Sequence, residues 1–408
     1  MVFSQAAPES EAGAGYSRVD FGGYLRVSVM LVPRGRGAFE EQLAEVLQVQ
    51  QQVLAVKHPR MHVISQTIFL RDAANWGECQ RLLASHYGKQ APATNVVLQA
   101  PCCGAALALE AWAIGGRDVR TQYGPQFVRI EYGDTRWTYC AGIQSHPSKS
   151  EAYEQTIDVL NRMQAALQAA GSGFEQVVRT WFYLGGITRP EAGCQRYKEF
   201  NRARSDFYKP IQFHCSPSQP SIPQGIYPAS TGIGTNGSQL AAGCLALSTK
   251  TPGAFFVALE NPQQTPAYAY HPRYSPQSPK FSRAVALVSP EHTTTWLSGT
   301  ASVVHSLSRH PGDIHKQTEQ TIDNIEKLIS AENFGFHGVN RAGAQLNDLA
   351  KIRVYLKRPE DFAACKAICD RRFGAVPAIY AVADVCRPEL LVEIEGVAFS
   401  ARLEPDGQ

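Results

Sequence analysis

The chain has 408 residues, of which 44% are hydrophobic and 18% are charged. This composition is typical of a folded globular protein and excludes disordered, collagen-like and membrane-embedded classes. The formal net charge is only +3, and no run of Lys and Arg alternates with aromatic residues, so a nucleic-acid partner is not expected. The length is sufficient for two or three domains of about 100–200 residues.

Residues 1–20 are predicted to form a flexible tail, because they are rich in Ala, Gly, Ser and Glu and lack the basic and apolar regions of a signal peptide. No stretch of about 18 apolar residues is present, so no membrane partner is expected. The ten cysteines are scattered without a C-x-x-C pair. We therefore predict a cytoplasmic protein without a metal or another cofactor.

Residues 21–120 are predicted to form a first α/β unit. Apolar residues at helical spacing indicate helices at 39–54 and 76–87, and β-branched residues indicate a strand at 65–70. An apolar segment closes the unit. The order strand, helix, strand, helix, strand recurs further along the chain.

Residues 121–250 are predicted to form the middle unit. Its elements are a strand ending at Gly142, an amphipathic helix from Glu154, a strand at 178–184 and a helix at 195–208. Residues 251–282, rich in proline and aromatic residues, are predicted to form an extended connecting segment.

Residues 283–408 are predicted to form the third unit, with the same order of elements. Its first helix begins with Glu319-Gln320-Thr321-Ile322-Asp323, the same five letters as Glu154 to Asp158 in the middle unit. This self-similarity predicts an α+β fold of three tandem domains. Such units can pack about a pseudo-threefold axis, as a trimer does, and the chain is then expected to be a monomer.

The ends of the first and third units also align. Leu107–Ala113 corresponds to Leu391–Ala398, and in this register Ala108 takes the position of Glu393. The middle unit is expected to close with a glycine-rich loop, Thr231–Gly237. This segment spells G-x-G-x-x-G, but no apolar strand precedes it, so a dinucleotide site is not expected.

Glu393 is the strongest catalytic candidate, because it lies in an otherwise apolar strand at 390–395. Burial raises the pKa of a carboxyl group toward neutrality, as a general acid requires. The alternative is a structural ion pair with Arg387 or Arg353. Cys386, in the turn before this strand, is either a proton-transfer group whose pKa a basic neighbour lowers or a buried, inert residue.

Five further residues are candidates for substrate binding. Gly299 would let a ligand approach the backbone closely. Arg202, Arg204 and Arg273 could hold carboxylates through paired hydrogen bonds, with Tyr270 beside them. The alternatives are a simple turn at the glycine and solvated surface charges at the arginines.

The repeated unit resembles the Rid (YjgF-like) family, which has a chorismate mutase-like fold. The last unit carries the likeness in Leu297–Gly299, Val354–Leu356 and Val392–Glu395. The resemblance implies trimer-like packing with ligand sites at the clefts between units. Rid imine deaminases have an Arg directly after a Pro-Ala pair, where this chain has Ile379 and, in the first unit, Thr94.

Residues 130–400 more closely resemble the chorismatases, which remove pyruvate from chorismate with two Rid-like domains and no cofactor. The resemblance implies that Glu393 is the catalytic glutamate and that Thr231 lies among substrate-binding residues. Four stretches carry it: Tyr227–Gly234, Glu260 through Tyr274, Ser298–Val303 and Cys386–Gly396.

The Cys386 and Gly299 positions separate two subclasses, and this pair implies the subclass that forms 3-hydroxybenzoate, in secondary metabolism. One alternative is hydrolysis of chorismate to a dihydroxycyclohexadiene carboxylate, and another is a mixture of 3- and 4-hydroxybenzoate. A Rid-type imine deaminase and a non-catalytic ligand-binding protein are the remaining alternatives. In each of these cases the expected partner is a small molecule.

Overall fold

The computed structural model describes residues 1–6, 14–55, 59–191, 193–214, 225–271 and 277–402. Within these residues the chain forms three six-stranded sheets and two short hairpins. Each large sheet is built from one continuous third of the chain and carries its helices on one side, so the predicted α+β class is confirmed. No helix in the described part is long and apolar enough to cross a membrane.

The first sheet has the strand order β1-β2-β3-β6-β4-β5. The prediction of a flexible tail is wrong for residues 1–6 and 14–20, because β1 and β2 pair with each other and Val19 is fully buried. Many residues of these strands are small or polar, so the alternation of buried and exposed positions that is typical of a strand is not recognisable in the sequence. The elements are β1 (Val2–Ala6), β2 (Ala14–Asp20), β3 (Leu25–Leu31), α1 (Phe39–Leu54), β4 (His62–Leu70), α2 (Trp76–Tyr87), β5 (Ala93–Val97) and β6 (Leu107–Gly115).

The second sheet has the corresponding order β7-β8-β9-β14-β10-β13. The predicted closing loop at Thr231–Gly237 is wrong, because residues 229–235 form β13, which runs parallel to β10. The elements are β7 (Arg120–Tyr123), β8 (Phe127–Tyr132), β9 (Thr135–Gln144), α3 (Ala152–Ala169), β10 (Val177–Gly185), the hairpin β11 (Pro190–Glu191) and β12 (Cys194–Gln195), α4 (Arg196–Tyr208), β13 (Ala229–Thr235) and β14 (Ala241–Thr249).

The glycines of β13 have a packing reason. A Cβ atom on Gly232 would lie 3.3 Å from the Tyr197 ring, and one on Gly234 would lie 2.7 Å from the backbone oxygen of Asp384. Glycine normally weakens a strand, which is why the segment looks like a loop in the sequence. Here Gly232 leaves room for α4 of its own unit, and Gly234 allows β13 to approach the loop after β21 of the third unit.

The third sheet has the order β15-β16-β17-β22-β20-β21. Its first strand, β15, lies inside the segment predicted to be an extended connection. Residues 255–259 can form a strand there because they contain no proline, and they pair with β16. The elements are β15 (Phe255–Leu259), β16 (Ala284–Val288), β17 (His292–Ala301), the hairpin β18 (Val303–Val304) and β19 (Leu307–Ser308), α5 (Ile314–Ile329), α6 (Ala331–Phe336), β20 (Leu349–Leu356), α7 (Phe362–Phe373), β21 (Ala378–Val382) and β22 (Val392–Ala401).

Strand register confirms the predicted alignment of the units. Ala108 lies opposite Phe69 in the first sheet, and Glu393 lies opposite Tyr355 in the third. The corresponding pair in the second sheet is Ala241 with Tyr183. Glu393 is therefore the only acid at this position of the three described sheets.

The three sheets pack against one another in a cyclic manner. The fifth strand of each sheet in chain order contacts the third strand of the next, in the pairs β5 with β9, β13 with β17, and β21 with β3. Trp112, Trp137 and Trp296, one from each sheet, share a single hydrophobic core. Each pair of neighbouring sheets therefore meets in an equivalent cleft.

Candidate active site

A cavity of 370 Å³ lies where β13 of the second sheet meets β17 and β22 of the third. Five of the residues predicted for the site line it: Glu393, Cys386, Gly299, Tyr270 and Arg204. These residues are as far apart in the sequence as positions 204 and 393. The packing of the second and third sheets brings them together. The cavity size is that of a small-ligand site.

Glu393 projects from β22 into this cavity with only 5% of its surface exposed. Within the described residues its carboxyl group takes part in no hydrogen bond or ion pair, because Arg353 contacts Glu110 and Glu395 and Arg387 donates to the Ser306 carbonyl. The predicted alternative of a structural ion pair is therefore wrong. Burial raises the pKa of Glu393 to about 8, and the negative charge of Glu395 adds to the rise. The carboxyl group is protonated at neutral pH.

Gly299 lies in a β-bulge of β17, two residues before Ala301, which is the register partner of Glu393 on β22. A Cβ atom at this position would lie 2.8 Å from Cδ of Glu393 and closer still to its Oε1. Carbon atoms that are not bonded to each other do not approach so closely. The glycine therefore provides the space in which the Glu393 carboxyl group sits.

Glu395, two residues further on the same face of β22, has the opposite environment. It pairs with Arg179 at 2.5 Å and with Arg353 at 3.0 Å, and it accepts a hydrogen bond from Trp181. Burial alone would raise the pKa of Glu395, but the two guanidinium groups outweigh burial and hold it below its usual value. Glu395 is a structural anion, and Glu393 is an acid with a proton to donate.

Cys386 lies between β21 and β22 at the wall of the cavity. Burial raises the pKa of its thiol to about 12, the charge of Glu393 adds to the rise, and Arg387 only partly opposes it. The hypothesis that a basic neighbour gives Cys386 a low pKa is wrong for this reason. The side chain is a neutral thiol.

Arg204 is the buried cation of the cavity, with 1% of its surface exposed. It donates to Ser230 at 3.2 Å and to Asn201 at 2.7 Å, and its Nε atom is buried without a partner. Within the described residues it forms no ion pair. A buried guanidinium group with an unused donor is suited to a carboxylate of the ligand.

Arg283 is a second buried cation of the wall that the sequence analysis missed. It donates to the Tyr270 hydroxyl at 2.9 Å and lies 3.9 Å from Glu260. Burial raises the pKa of Glu260 to about 7, against the effect of Arg283. The only sequence signal was a charged residue directly before the apolar strand at 284–288.

Two predicted binding residues, Arg202 and Thr231, are not part of the cavity lining. Arg202 is exposed, pairs with Glu199 and stacks 3.9 Å above the Tyr153 ring. Thr231 is buried beneath the cavity, where it bonds to Arg179 and Glu395. Arg273 lies outside the described residues. The first two are corrections: a surface ion pair satisfies Arg202, and the Glu395 network uses the Thr231 hydroxyl.

Tyr197 also lines the cavity and was missed by the sequence analysis. Its hydroxyl is close enough to Cys386 and Glu393 for their charges to raise its pKa, although burial is the larger cause. A tyrosine on an amphipathic helix resembles any core aromatic, so its role could not be distinguished in the sequence.

Comparison with known proteins identifies families and relatives whose sequences match this chain. A family model described as "Chorismatase FkbO/Hyg5-like, N-terminal" matches residues 110–246, and one described as "Endoribonuclease L-PSP" matches residues 276–400. A 3-hydroxybenzoate synthase of Streptomyces hygroscopicus is 34% identical over 286 residues, covering 69% of this chain and 79% of the relative. A chorismatase of Streptomyces rapamycinicus is 34% identical over 229 residues, covering 55% and 64%.

The solved structures include one relative of the whole fold. A crystal structure of a chorismatase at 24% identity covers 83% of this chain and 93% of its own, with a TM-score of 0.64. This likeness concerns the fold alone. Together with the sequence identity over most of the Streptomyces hygroscopicus relative, it confirms the predicted resemblance, and the chain belongs to the chorismatase family.

Proposed function

We propose that this protein converts chorismate to 3-hydroxybenzoate and pyruvate. The observation that carries the proposal is a protonated Glu393 in a small cavity that also holds buried arginines. Chorismate contains an enolpyruvyl ether and two carboxylates, so it requires an acid and cationic groups. The name of the Streptomyces hygroscopicus relative, 3-hydroxybenzoate synthase, supports this product.

The reaction begins with transfer of the Glu393 proton to the methylene carbon of the enol ether. The C=C bond supplies the electron pair, and the ether oxygen stabilises the resulting oxocarbenium ion. The neighbouring ring hydroxyl loses its proton and attacks the ring carbon that bears the ether, the bond from this carbon to the ether oxygen breaks, and that oxygen leaves as the carbonyl of pyruvate. The resulting epoxide opens at its other carbon, its oxygen regains a proton, and loss of a ring proton gives 3-hydroxybenzoate. The two products together contain all atoms of chorismate, and the ring proton restores the acid.

The other cavity residues bind and orient the substrate in this proposal. Arg204, a buried cation in the cavity lining, binds one carboxylate, and Arg283, with Tyr270 at 2.9 Å, faces the second. Gly299 keeps the Glu393 carboxyl group in place. The neutral Cys386 thiol assists the ring chemistry as a weak donor without acting as a nucleophile.

Incubation of the protein with chorismate, followed by chromatography, tests the proposal. We expect equal amounts of 3-hydroxybenzoate and pyruvate. A dihydroxycyclohexadiene carboxylate as the main product would contradict the proposed subclass, and a large share of 4-hydroxybenzoate would contradict the proposed selectivity. Chorismate binding in a calorimeter without turnover would contradict an enzymatic role, and rapid hydrolysis of imines instead would favour a Rid-type deaminase.

We also propose that the three sheets and their helices are three Rid-like domains about a pseudo-threefold axis. The equivalent contacts of β5 with β9, β13 with β17 and β21 with β3 support this arrangement. A single chain then supplies all three subunits of a trimer. Light scattering should give the mass of one chain, and a trimeric mass would contradict the proposal.

A further inference from the structure

A second cavity, of 400 Å³, lies where all three sheets converge, away from Glu393. We call it the central aromatic cavity. The first sheet and the turn after β2 contribute Phe21, Tyr24 and Arg26, the second sheet contributes Tyr132 and Trp137, and the third contributes His292. Its volume is close to that of the active-site cavity, so it can hold a ligand of similar size.

Arg26 at the wall of this cavity resembles Arg204 in the active site. It is 4% exposed, donates to the Tyr139 hydroxyl at 2.7 Å and has a buried Nε atom without a partner. Its guanidinium carbon lies 4.8 Å from the Trp112 ring centroid. Within the described residues Arg26 forms no ion pair. A buried cation without an acidic partner is costly unless a ligand supplies the anion.

Six aromatic or imidazole rings form part of the remaining wall: Phe21, Tyr24, Tyr132, Trp137, His292 and Trp296. Phe21 stacks on Tyr24 at 4.6 Å between centroids, and Tyr24 contacts Tyr132 at 4.7 Å. Burial lowers the pKa of His292 to about 4, so its ring is neutral at physiological pH. Such walls favour a flat aromatic ligand through offset and edge contacts.

The rim of the cavity carries two exposed carboxylates, Asp134 and Glu291. They disfavour a second anionic group on the ligand near solvent, but they can accept a hydrogen bond from a hydroxyl group. The cavity therefore has a buried cation, Arg26, at its wall, aromatic rings beside it, and hydrogen-bond acceptors at the exposed rim.

We infer that the central aromatic cavity is a binding site for a small aromatic monocarboxylate, whose carboxylate pairs with Arg26 and whose ring lies against Tyr24 and Trp137. 3-Hydroxybenzoate has this chemistry, with one carboxylate and one hydroxyl group. Only this choice of probe rests on the proposed function. Binding at the cavity requires no turnover.

Calorimetric titration with 3-hydroxybenzoate tests the inference in three proteins: the wild type, Arg204→Gln and Arg26→Gln. Arg204→Gln should retain binding at the central aromatic cavity. Arg26→Gln should weaken that binding at least about tenfold, because a charge-assisted pair is lost, while its chorismate turnover stays unchanged. Binding that Arg204→Gln abolishes, or that Arg26→Gln leaves intact, would overturn the inference.

A ligand series covers the case in which Arg26→Gln does not fold. In the Arg204→Gln protein, benzoate should bind at least about tenfold more tightly than benzyl alcohol, which has the ring but no carboxylate. Benzoate should also quench tryptophan fluorescence, since Trp137 lines the cavity. Equal affinities, or no quenching, would overturn the inference. Failure of chorismate turnover would leave all these binding results unchanged, so the two proposals fail separately.

Discussion

The active-site cleft and the equivalent cleft between the first and second sheets have the same backbone and different side chains. The cleft between the first and second sheets holds a cavity of 280 Å³, in which Ala241 takes the place of Glu393. Gly142 occupies a bulge of β9 as Gly299 does in β17. In its described lining, however, no Asp, Glu, His, Lys or Arg is present.

The comparison shows that the repeat provides clefts and that a few substitutions decide which of them has an acid. A carboxyl group in such a cleft is costly to ionise, and of the three equivalent strand positions in the described sheets only residue 393 carries one. At the third cleft, between the third and first sheets, Pro101 bridges to Ala381 and the Cys102 amide donates to the Tyr380 carbonyl at 3.0 Å. Of the two described cleft cavities, the one with Glu393 combines an acid with buried cations, and the other has neither in its described lining.

Glu393→Gln would make the active cleft as inert as its counterpart, and it should have the largest effect. Gln is similar in size but has no acidic proton, so kcat should fall by at least about 100-fold, the usual contribution of a general acid. Pyruvate release measures this effect. Glu332→Gln, at an exposed glutamate of α6, is the control and should keep wild-type activity. A folded Glu393→Gln protein with normal kcat would exclude Glu393 as the acid.

The pH dependence of activity tests whether the cleft works because its acid is protonated. With the pKa of Glu393 at about 8, kcat/KM should be level below pH 8 and should fall about tenfold per pH unit above it. The decline should be absent from the residual activity of Glu393→Gln. A rate that rises with pH through this range would indicate that Glu393 acts as a base.

Stability provides an independent control for the same pKa. Folded Glu393 keeps its proton above pH 4.5, where the unfolded chain loses it, so its contribution to the free energy of unfolding decreases between pH 4.5 and 8. The decrease is roughly 5 kcal/mol at most. Denaturant titrations should show a smaller decrease for Glu393→Gln than for the wild type, and equal curves would contradict the raised pKa.

Gly299→Ala tests the space around the acid and should have a smaller effect on kcat than Glu393→Gln. The new methyl group would displace the Glu393 carboxyl group, so we expect kcat to fall about tenfold, since small misplacements of a catalytic group are costly. Gly335→Ala, where a Cβ atom meets nothing within 4 Å, is the matched control. Unchanged activity of Gly299→Ala would mean that the carboxyl group has another position available.

Local patterns in the sequence determined the helices, the repeat and the acid. The bounds of α1 and α2 are those that apolar spacing predicts, because each buries one face. The alignment of the closing strands of the first and third units, which places Ala108 at the position of Glu393, was also predicted from the sequence alone. Short, glycine-rich or small-residue strands such as β2 and β13 could not be predicted, because their stability comes from partners distant in the chain.

The tertiary structure decided which polar residues belong to the site. Arg202 and Arg204 are two residues apart on α4 and therefore point to different sides of the helix. One pairs with Glu199 in solvent, and the other is buried in the cavity. Glu393 and Glu395 share a face of β22, yet only Glu395 meets the guanidinium groups of Arg179 and Arg353. The sequence determined that two glutamates would be buried, and the packing of the sheets decided which of them keeps its proton, because burial without a cationic partner raises the pKa of Glu393 while Arg179 and Arg353 hold down that of Glu395.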